Sequence, residues 1–329
     1  MHISELWEAG GFGPTAARMV LTPFSWLYAV GWEAYLAMYR LGLKHAKHPH
    51  SPIICIGNLV SGGSGKTPVS IRVVELLAER GLRPVVSCSG YGSPRSEAAT
   101  IAPEGPLDAR IWGDEAAQYR WLLPDLPLIV GRRRVLAAQQ CHERFPGSVL
   151  VLDDGFQHLS LKKDLTIVLD PQEPANRRCL PAGPYREPRW NRRRADIVLP
   201  GTFHVRQEIG RVLDEQGRQV GLPREAFLLC ALGNPKGVLK SLELAGVKIT
   251  GTLFRPDHDS LADGNLVLEL PKGIPLVTTL KDWVKLKERQ DLAGFDFLVL
   301  DHRIEIEPRA LFCDWLVTHL HGKEKQSHH

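Results

Sequence analysis

Gly62-Gly63-Ser64-Gly65-Lys66-Thr67 joins small residues to one ammonium and one hydroxyl, a set suited to holding phosphate. Backbone N–H groups of such a loop converge on an anion where the next helix begins, a lysine reaches the terminal phosphates, and a threonine hydroxyl is offered to Mg²⁺. We read a nucleoside triphosphate site here. The usual G-x-x-x-x-G-K-[ST] spacing puts a glycine where this chain has Val60, so Gly57 and the Gly62-Gly63 pair are expected to make the turn. A second run, Asp153-Asp154-Gly155-Phe156-Gln157-His158, follows a strongly apolar stretch. Two adjacent carboxylates at the end of a buried strand repel unless a cation relieves them, so Thr67, Asp153 and Asp154 are the expected Mg²⁺ ligands. Gly113-Asp114-Glu115-Ala116 opens a helical pattern, and Asp114 reads either as a helix cap or as a catalytic carboxylate. Gly131-Arg132-Arg133-Arg134 opens another helix with three guanidiniums just beyond a strand, where ligands sit in open α/β sheets.

The elements that must position these groups alternate. Residues 53–56 form a strand, 57–67 a glycine-rich loop, and 69–77 carry apolar residues at helical spacing. Strands are expected at 83–87, 126–130, 148–152, 165–169 and 195–199. The proline- and arginine-rich stretch 171–194 reads as a long loop, of a length usually reserved for function. Its Arg177, Arg178, Arg186, Arg189, Arg192, Arg193 and Arg194 are candidate phosphate clamps. Residues 210–222 read as a hairpin, and strands at 226–232, 248–254, 276–279 and 295–300 with helices at 236–244, after Lys281-Asp282 and at 308–321 make a second α/β unit. The expected architecture is an α/β/α unit of P-loop NTPase type with an N-terminal membrane-associated helix (1–205), a β-hairpin linker (206–222) and a second, smaller α/β domain completing the cleft (223–329).

The chain has 329 residues, 43% hydrophobic and 24% charged, with a net charge of +4. That is ordinary for a folded protein and too mild to argue for nucleic acid, though it favours an anionic substrate or surface. Six cysteines without a C-x-x-C pair point to a reducing, cytosol-facing compartment, and no secretory signal is read at the N-terminus. Residues 19–43 are apolar nearly all round, with Trp26, Tyr28, Trp32 and Tyr35, and a basic run 44–50 follows. The apolar core is shorter than the roughly 20 residues of a membrane span, so a monotopic anchor on an anionic membrane is expected. A helix buried against the body, or a single-pass span, are the other readings.

Taken in order, GNLVSGGSGKTP, SGYG, GDEA, VGRRR, LDDGFQH, LPAGPYREP, GNP, PDH and TTLKD resemble the tetraacyldisaccharide 4′-kinase family of the lipid A pathway over nearly the whole chain. The resemblance accounts for Val60, because the family's loop has the form GN-x-x-x-GG-x-GKTP. It implies transfer of phosphate from ATP with Mg²⁺ to the 4′-hydroxyl of a tetraacylated glucosamine disaccharide 1-phosphate, giving lipid IVA at the cytoplasmic face of the bacterial inner membrane. It further implies that Asp114 is the base and His258 its orienting partner, and that Gly62, Gly63, Ser64, Gly65, Lys66, Thr67 and Pro68 bind nucleotide. Lys66 and Asp154 would act on the reacting phosphate, and Arg134, His158, Arg186 and Glu187 would line the cleft. A monomer without nucleic-acid partners is expected. The chain departs from the family pattern at Ser89 (arginine in SRGYG), Ala116 (proline in GDEP) and Leu280 (glutamate in TTEKD).

A P-loop alone also suits a regulatory NTPase, a soluble small-molecule kinase, or a membrane scaffold that binds nucleotide. Guanine recognition usually needs Asn/Thr-Lys-x-Asp, and Thr279-Leu280-Lys281-Asp282 has another order, which favours ATP.

Overall fold

The computed structural model describes Trp7 and residues 11–48, 51–62, 65–232, 235–256 and 259–324, without the side chains of 302 and 321–324. Two sheets carry the chain. The first holds seven strands in the order β3-β4-β2-β5-β1-β6-β7: β1 Ile53–Asn58, β2 Pro84–Cys88, β3 Thr100–Ile101, β4 Leu128–Val130, β5 Val149–Asp153, β6 Leu165–Leu169 and β7 Ile197–Leu199. All pairs are parallel except β3 with β4. Helices cover both faces of such a sheet, so β1, β5 and β6 are buried along their whole length and read as continuous apolar runs rather than alternating ones. Parallel pairing also sends the strand ends one way: Ile56 of β1 lies beside Asp153 of β5, so the glycine-rich loop and the Asp-Asp turn leave the sheet at one edge.

The second sheet has the order β11-β10-β12-β13-β8-β9, from β8 His204–Leu213, β9 Gln219–Val220, β10 Glu225–Cys230, β11 Lys248–Phe254, β12 Leu276–Thr279 and β13 Phe297–Glu307. The first four are parallel neighbours, whereas β8 and β9 are antiparallel. The stretch read as a linker is a hairpin whose first strand runs along β13 from Leu213 to His204. That pairing carries β13 beyond its expected end at 300. The alternation Arg303-Ile304-Glu305-Ile306-Glu307, with both isoleucines buried, is the period-2 signal for the extension.

Seven helices matter here: α1 Phe12–Arg40, α2 Lys66–Glu79, α3 Asp114–Leu122, α4 Arg134–Arg144, α5 Pro235–Leu244, α6 Leu280–Leu286 and α7 Arg309–Glu324. Helix α2 packs on the first sheet through Val69, Val73, Leu76 and Leu77, and against β13 on its other side. Arg72, nearly buried, reaches Glu75 and Glu305 at 3.0 Å each, and Arg309 of α7 reaches Glu79 at 2.7 Å. One hydrophobic cluster therefore runs from Ile54 and Val151 through Val73 to Ile304, Phe312 and Trp283.

Helix α1 lies on the 176–190 loop by one face. Ser25 donates to the Cys179 carbonyl at 2.8 Å and accepts from Ala182 N, Tyr28 donates to the Arg186 carbonyl at 2.7 Å, and the Trp190 indole donates to Glu33. Its other face leaves Val20, Phe24, Trp26, Leu27 and Val30 exposed. Among the described residues no helix is long and apolar enough to cross a membrane. The basic run behind α1 is partly tied down: His48 pairs with Asp164 at 3.2 Å, and Lys47 bonds Ser160 and Lys162 through its backbone, while Lys44 stays exposed over the Tyr35 ring.

Candidate active site

The glycine-rich loop leaves β1 and ends at Gly65, which caps α2 in the left-handed region (φ 76°). Lys66 and Thr67 are the first residues of the helix, and Pro68 completes its opening turn, where a missing N–H costs nothing. Gly63 and Ser64 lie outside the described residues. Gly57 is not part of the turn, contrary to the expectation from spacing. It sits inside β1 beside Val168, and a side chain there would meet Phe156 Cβ at 2.5 Å. A strand glycine often marks such a close approach, and here it lets the Asp-Asp-Gly-Phe turn close over β1.

That turn brings the carboxylates to α2. Asp153, 1% exposed, accepts from the Thr67 hydroxyl at 2.9 Å and the Tyr119 hydroxyl at 3.0 Å, both on Oδ2, while its buried Oδ1 has no partner. Burial raises its pKa, and Lys66 and the Thr67 hydrogen bond oppose the rise. Asp154 is held at φ 60°, an uncommon conformation for a residue with a side chain. Burial would raise its pKa too, but Lys66, 3.7 Å away, and Arg186 outweigh it and hold the carboxyl below the usual range. Arg186 grips both Asp154 oxygens, at 2.8 and 3.1 Å, a bidentate pairing that favours arginine over lysine. It also bonds Asn58 at the end of β1.

An unpartnered buried oxygen beside a threonine hydroxyl at a helix N-terminus fits Mg²⁺, which keeps several waters and needs few protein ligands. Asp153 with Thr67 suits this role better than Asp154, whose oxygens are engaged by Arg186. Among the described residues no group of three or more His, Cys, Asp or Glu forms a metal cage.

Arg134, 2% exposed, donates to Ser87 at 2.9 Å and to the Asp153 carbonyl, tying β2, β5 and α4 together under the site. His158 is driven down to about 4 by burial, and then by Arg134 and Lys163, so its imidazole is neutral at physiological pH. Glu187 does not face the cleft: it is fully buried, accepting from Gln157 at 3.0 Å and from Arg194, whose guanidinium also covers the Phe156 ring. The arginine-rich loop is likewise mostly self-engaged, since Arg189 and Arg192 both hold the buried Asp170, at 2.8 and 2.9 Å. Arg177, Arg178 and Arg193 are exposed, which leaves Arg186 as the guanidinium of that loop on the Asp-Asp turn.

Across the cleft, the cap of α3 is Gly113, and Asp114 is the first helical residue. Its carboxylate is therefore free of capping and pairs with Lys285 of α6 at 2.9 Å. Glu115 beside it is raised by burial and then by the charges of Asp153 and Asp154, and Tyr119 further along α3 reaches Asp153, so this helix lies against the Asp-Asp turn. Ser89, where the family pattern has arginine, donates to Glu115 at 3.1 Å. Asp114 opens onto a cavity of about 500 Å³ shared with Tyr91, Arg110, Ser260, Lys285 and Arg289. His258 lies outside the described residues.

The family model for "Tetraacyldisaccharide-1-P 4'-kinase" matches residues 17–321. The chain belongs to this family. Proteins named tetraacyldisaccharide 4′-kinase from Shewanella sediminis (30% identical; 87% of this chain, 90% of that protein), Verminephrobacter eiseniae (35%; 85% and 67%) and Coxiella burnetii (33%; 85% and 86%) are among its relatives. The crystal structure of LpxK from Aquifex aeolicus in complex with ATP superposes with a TM-score of 0.78 at 27% identity, covering 92% of this chain and 99% of that one. Membership of the tetraacyldisaccharide-1-P 4′-kinase family decides for an enzyme over a regulatory switch or scaffold. Three contacts of the candidate site residues carry no sequence expectation: Tyr119 on Asp153, Gln157 between Asn58 and Glu187, and Lys285 on Asp114. Gln157 lies inside the Asp153–His158 motif, which is its local signal; Tyr119 and Lys285 carry none.

Proposed function

We propose that this chain transfers the γ-phosphoryl group of ATP to the 4′-hydroxyl of a tetraacylated glucosamine disaccharide 1-phosphate, giving lipid IVA, with Mg²⁺ held by Thr67 and Asp153. The observation that carries the reading is the meeting of the α2 N-terminus, the Asp153-Asp154 turn and helix α3 through Thr67, Lys66 and Tyr119, in a chain that matches the kinase family from residue 17 to 321. Phosphoryl transfer asks a protein mainly for charge neutralisation and alignment. Lys66 and the α2 N-terminus receive phosphate oxygens, and Arg186 is poised beside Asp154. Asp114 accepts the hydroxyl proton as the sugar oxygen bonds phosphorus and the bond to the ADP oxygen breaks. A bound Mg²⁺ adds neutralisation of the phosphate charge. His258 is the proposed orienting partner of Asp114, and neutral His158 contributes hydrogen bonding rather than charge. Labelled MgATP with tetraacyldisaccharide 1-phosphate in mixed micelles tests the reading: transfer to the lipid is expected, and its failure with folded, ATP-binding protein overturns the acceptor assignment.

The same proposal puts the chain, as a monomer, on the cytoplasmic face of the bacterial inner membrane, where α1 would rest on anionic lipid. The support is the outward row Val20, Phe24, Trp26, Leu27 and Val30, opposite a face already committed to the 176–190 loop. Leu27→Asp with Val30→Asp should lower partitioning onto anionic vesicles by at least about tenfold, because each side chain buries apolar area worth about 1.5–3 kcal/mol. Vesicle sedimentation measures this, and unchanged binding would remove α1 from the contact.

A further inference from the structure

Lys285 sits on the cleft side of α6, 7% exposed, with its ammonium 2.9 Å from Asp114 Oδ2 and donating to the Asp259 carbonyl at 2.8 Å. The carboxylate on its own helix is committed elsewhere: Asp282, fully buried, accepts from Ala231 N and Thr279. Asp291, further along, is engaged by Arg289. The Lys285 charge is thus matched across the cleft. A nearly buried ammonium is costly to dehydrate and to order, and such pairs are weak contributors to stability; their best-attested use is to fix one arrangement over others.

We propose that Lys285 is a positioning residue for Asp114, holding the carboxylate by Oδ2 so that Oδ1 meets the acceptor hydroxyl. The proposal rests on Asp114 being the base. Asp114 is the first residue of α3 and not its cap, so among the described residues no capping bond fixes its rotamer, and its neighbour Glu115 is drawn to Ser89. Among the described residues Lys285 is the side chain that restrains it, acting beside the proposed orienting partner His258, and because α6 belongs to the second sheet and α3 to the first, Asp114 is aligned only when the two are docked. The Asp259 carbonyl, held by the same ammonium, brings the start of the 259–264 stretch to the carboxylate.

The test is Lys285→Met, which keeps length and apolar stem and removes the charge, alone and combined with Asp114→Ala. Loss of alignment by about an ångström can cost on the order of 10²-fold, so kcat should fall by about 10- to 100-fold while KM for MgATP stays within about threefold. In the double variant, read by single-turnover transfer, Lys285→Met should have no further effect, because its target is gone. A kcat within about twofold of wild type in Lys285→Met overturns the proposal and leaves Asp114 untouched as base. So does the same fold-loss in both backgrounds, or a loss accompanied by a thermal midpoint lowered by about 10 °C or more, which marks a structural pair. Full turnover in Asp114→Ala alone instead overturns the base assignment, and this proposal with it.

Discussion

Lys66→Ala is expected to lower kcat/KM for MgATP by about 10³-fold, the upper end of what a single preorganised donor contributes to a transition state. The size follows from position. Lys66 stands at the positive end of a buried helix and is itself largely shielded from water, so its charge acts at low screening. It is also the cation that relieves Asp153 and Asp154, both otherwise raised by burial. Its removal therefore withdraws a phosphate ligand and leaves the two carboxylates repelling the nucleotide. Transfer of labelled phosphate in micelles reads the loss, and a variant within about tenfold of wild type would mean that the glycine-rich loop does not serve the reacting phosphate.

Asp114→Ala should keep nucleotide binding and lose at least about 10²-fold in kcat, the scale expected of a positioned general base. Binding survives because Asp114 touches Lys285 rather than the phosphate loop. Equilibrium binding of a fluorescent ATP analogue separates the two effects. Intact turnover would return Asp114 to a purely structural pairing; lost nucleotide affinity would place it on the ATP side of the cleft.

The unit from β1 to α2 is legible in the sequence because every part of it is local: a buried strand, a glycine-rich loop and an apolar helical face follow one another directly. The Asp153-Asp154 turn is legible for the same reason, since buried carboxylates announce a cation. What fails is whatever depends on contact between distant segments. Gly57 looks like a turn glycine until Phe156 is seen against it. Arg189, Arg192 and Arg194 look like phosphate clamps until Asp170 and Glu187 are found beneath them, because sequence gives a charge but not its partner. Glu187 itself reads as a cleft residue from its motif, and only its burial reveals that it holds up the floor. Lys285 sits on an unremarkable short helix and becomes visible only when α6 meets α3.

The hydrophobic cluster that runs from Ile54 through Val73 to Ile304, Phe312 and Trp283 has a thermodynamic consequence. Helix α2 is covered on one side by the first sheet and on the other by β13, so neither sheet can melt without exposing apolar surface of the other. Folding is then cooperative across both sheets, and heating should give one calorimetric transition instead of two. By mass action, a nucleotide present at 100 times its Kd would raise that single transition by about 2.7 kcal/mol of stability. Ligand binding at the first turn of α2 would in this way slow even the exposure of β11, at an edge of the second sheet, that comes through global unfolding, while leaving its local opening unchanged.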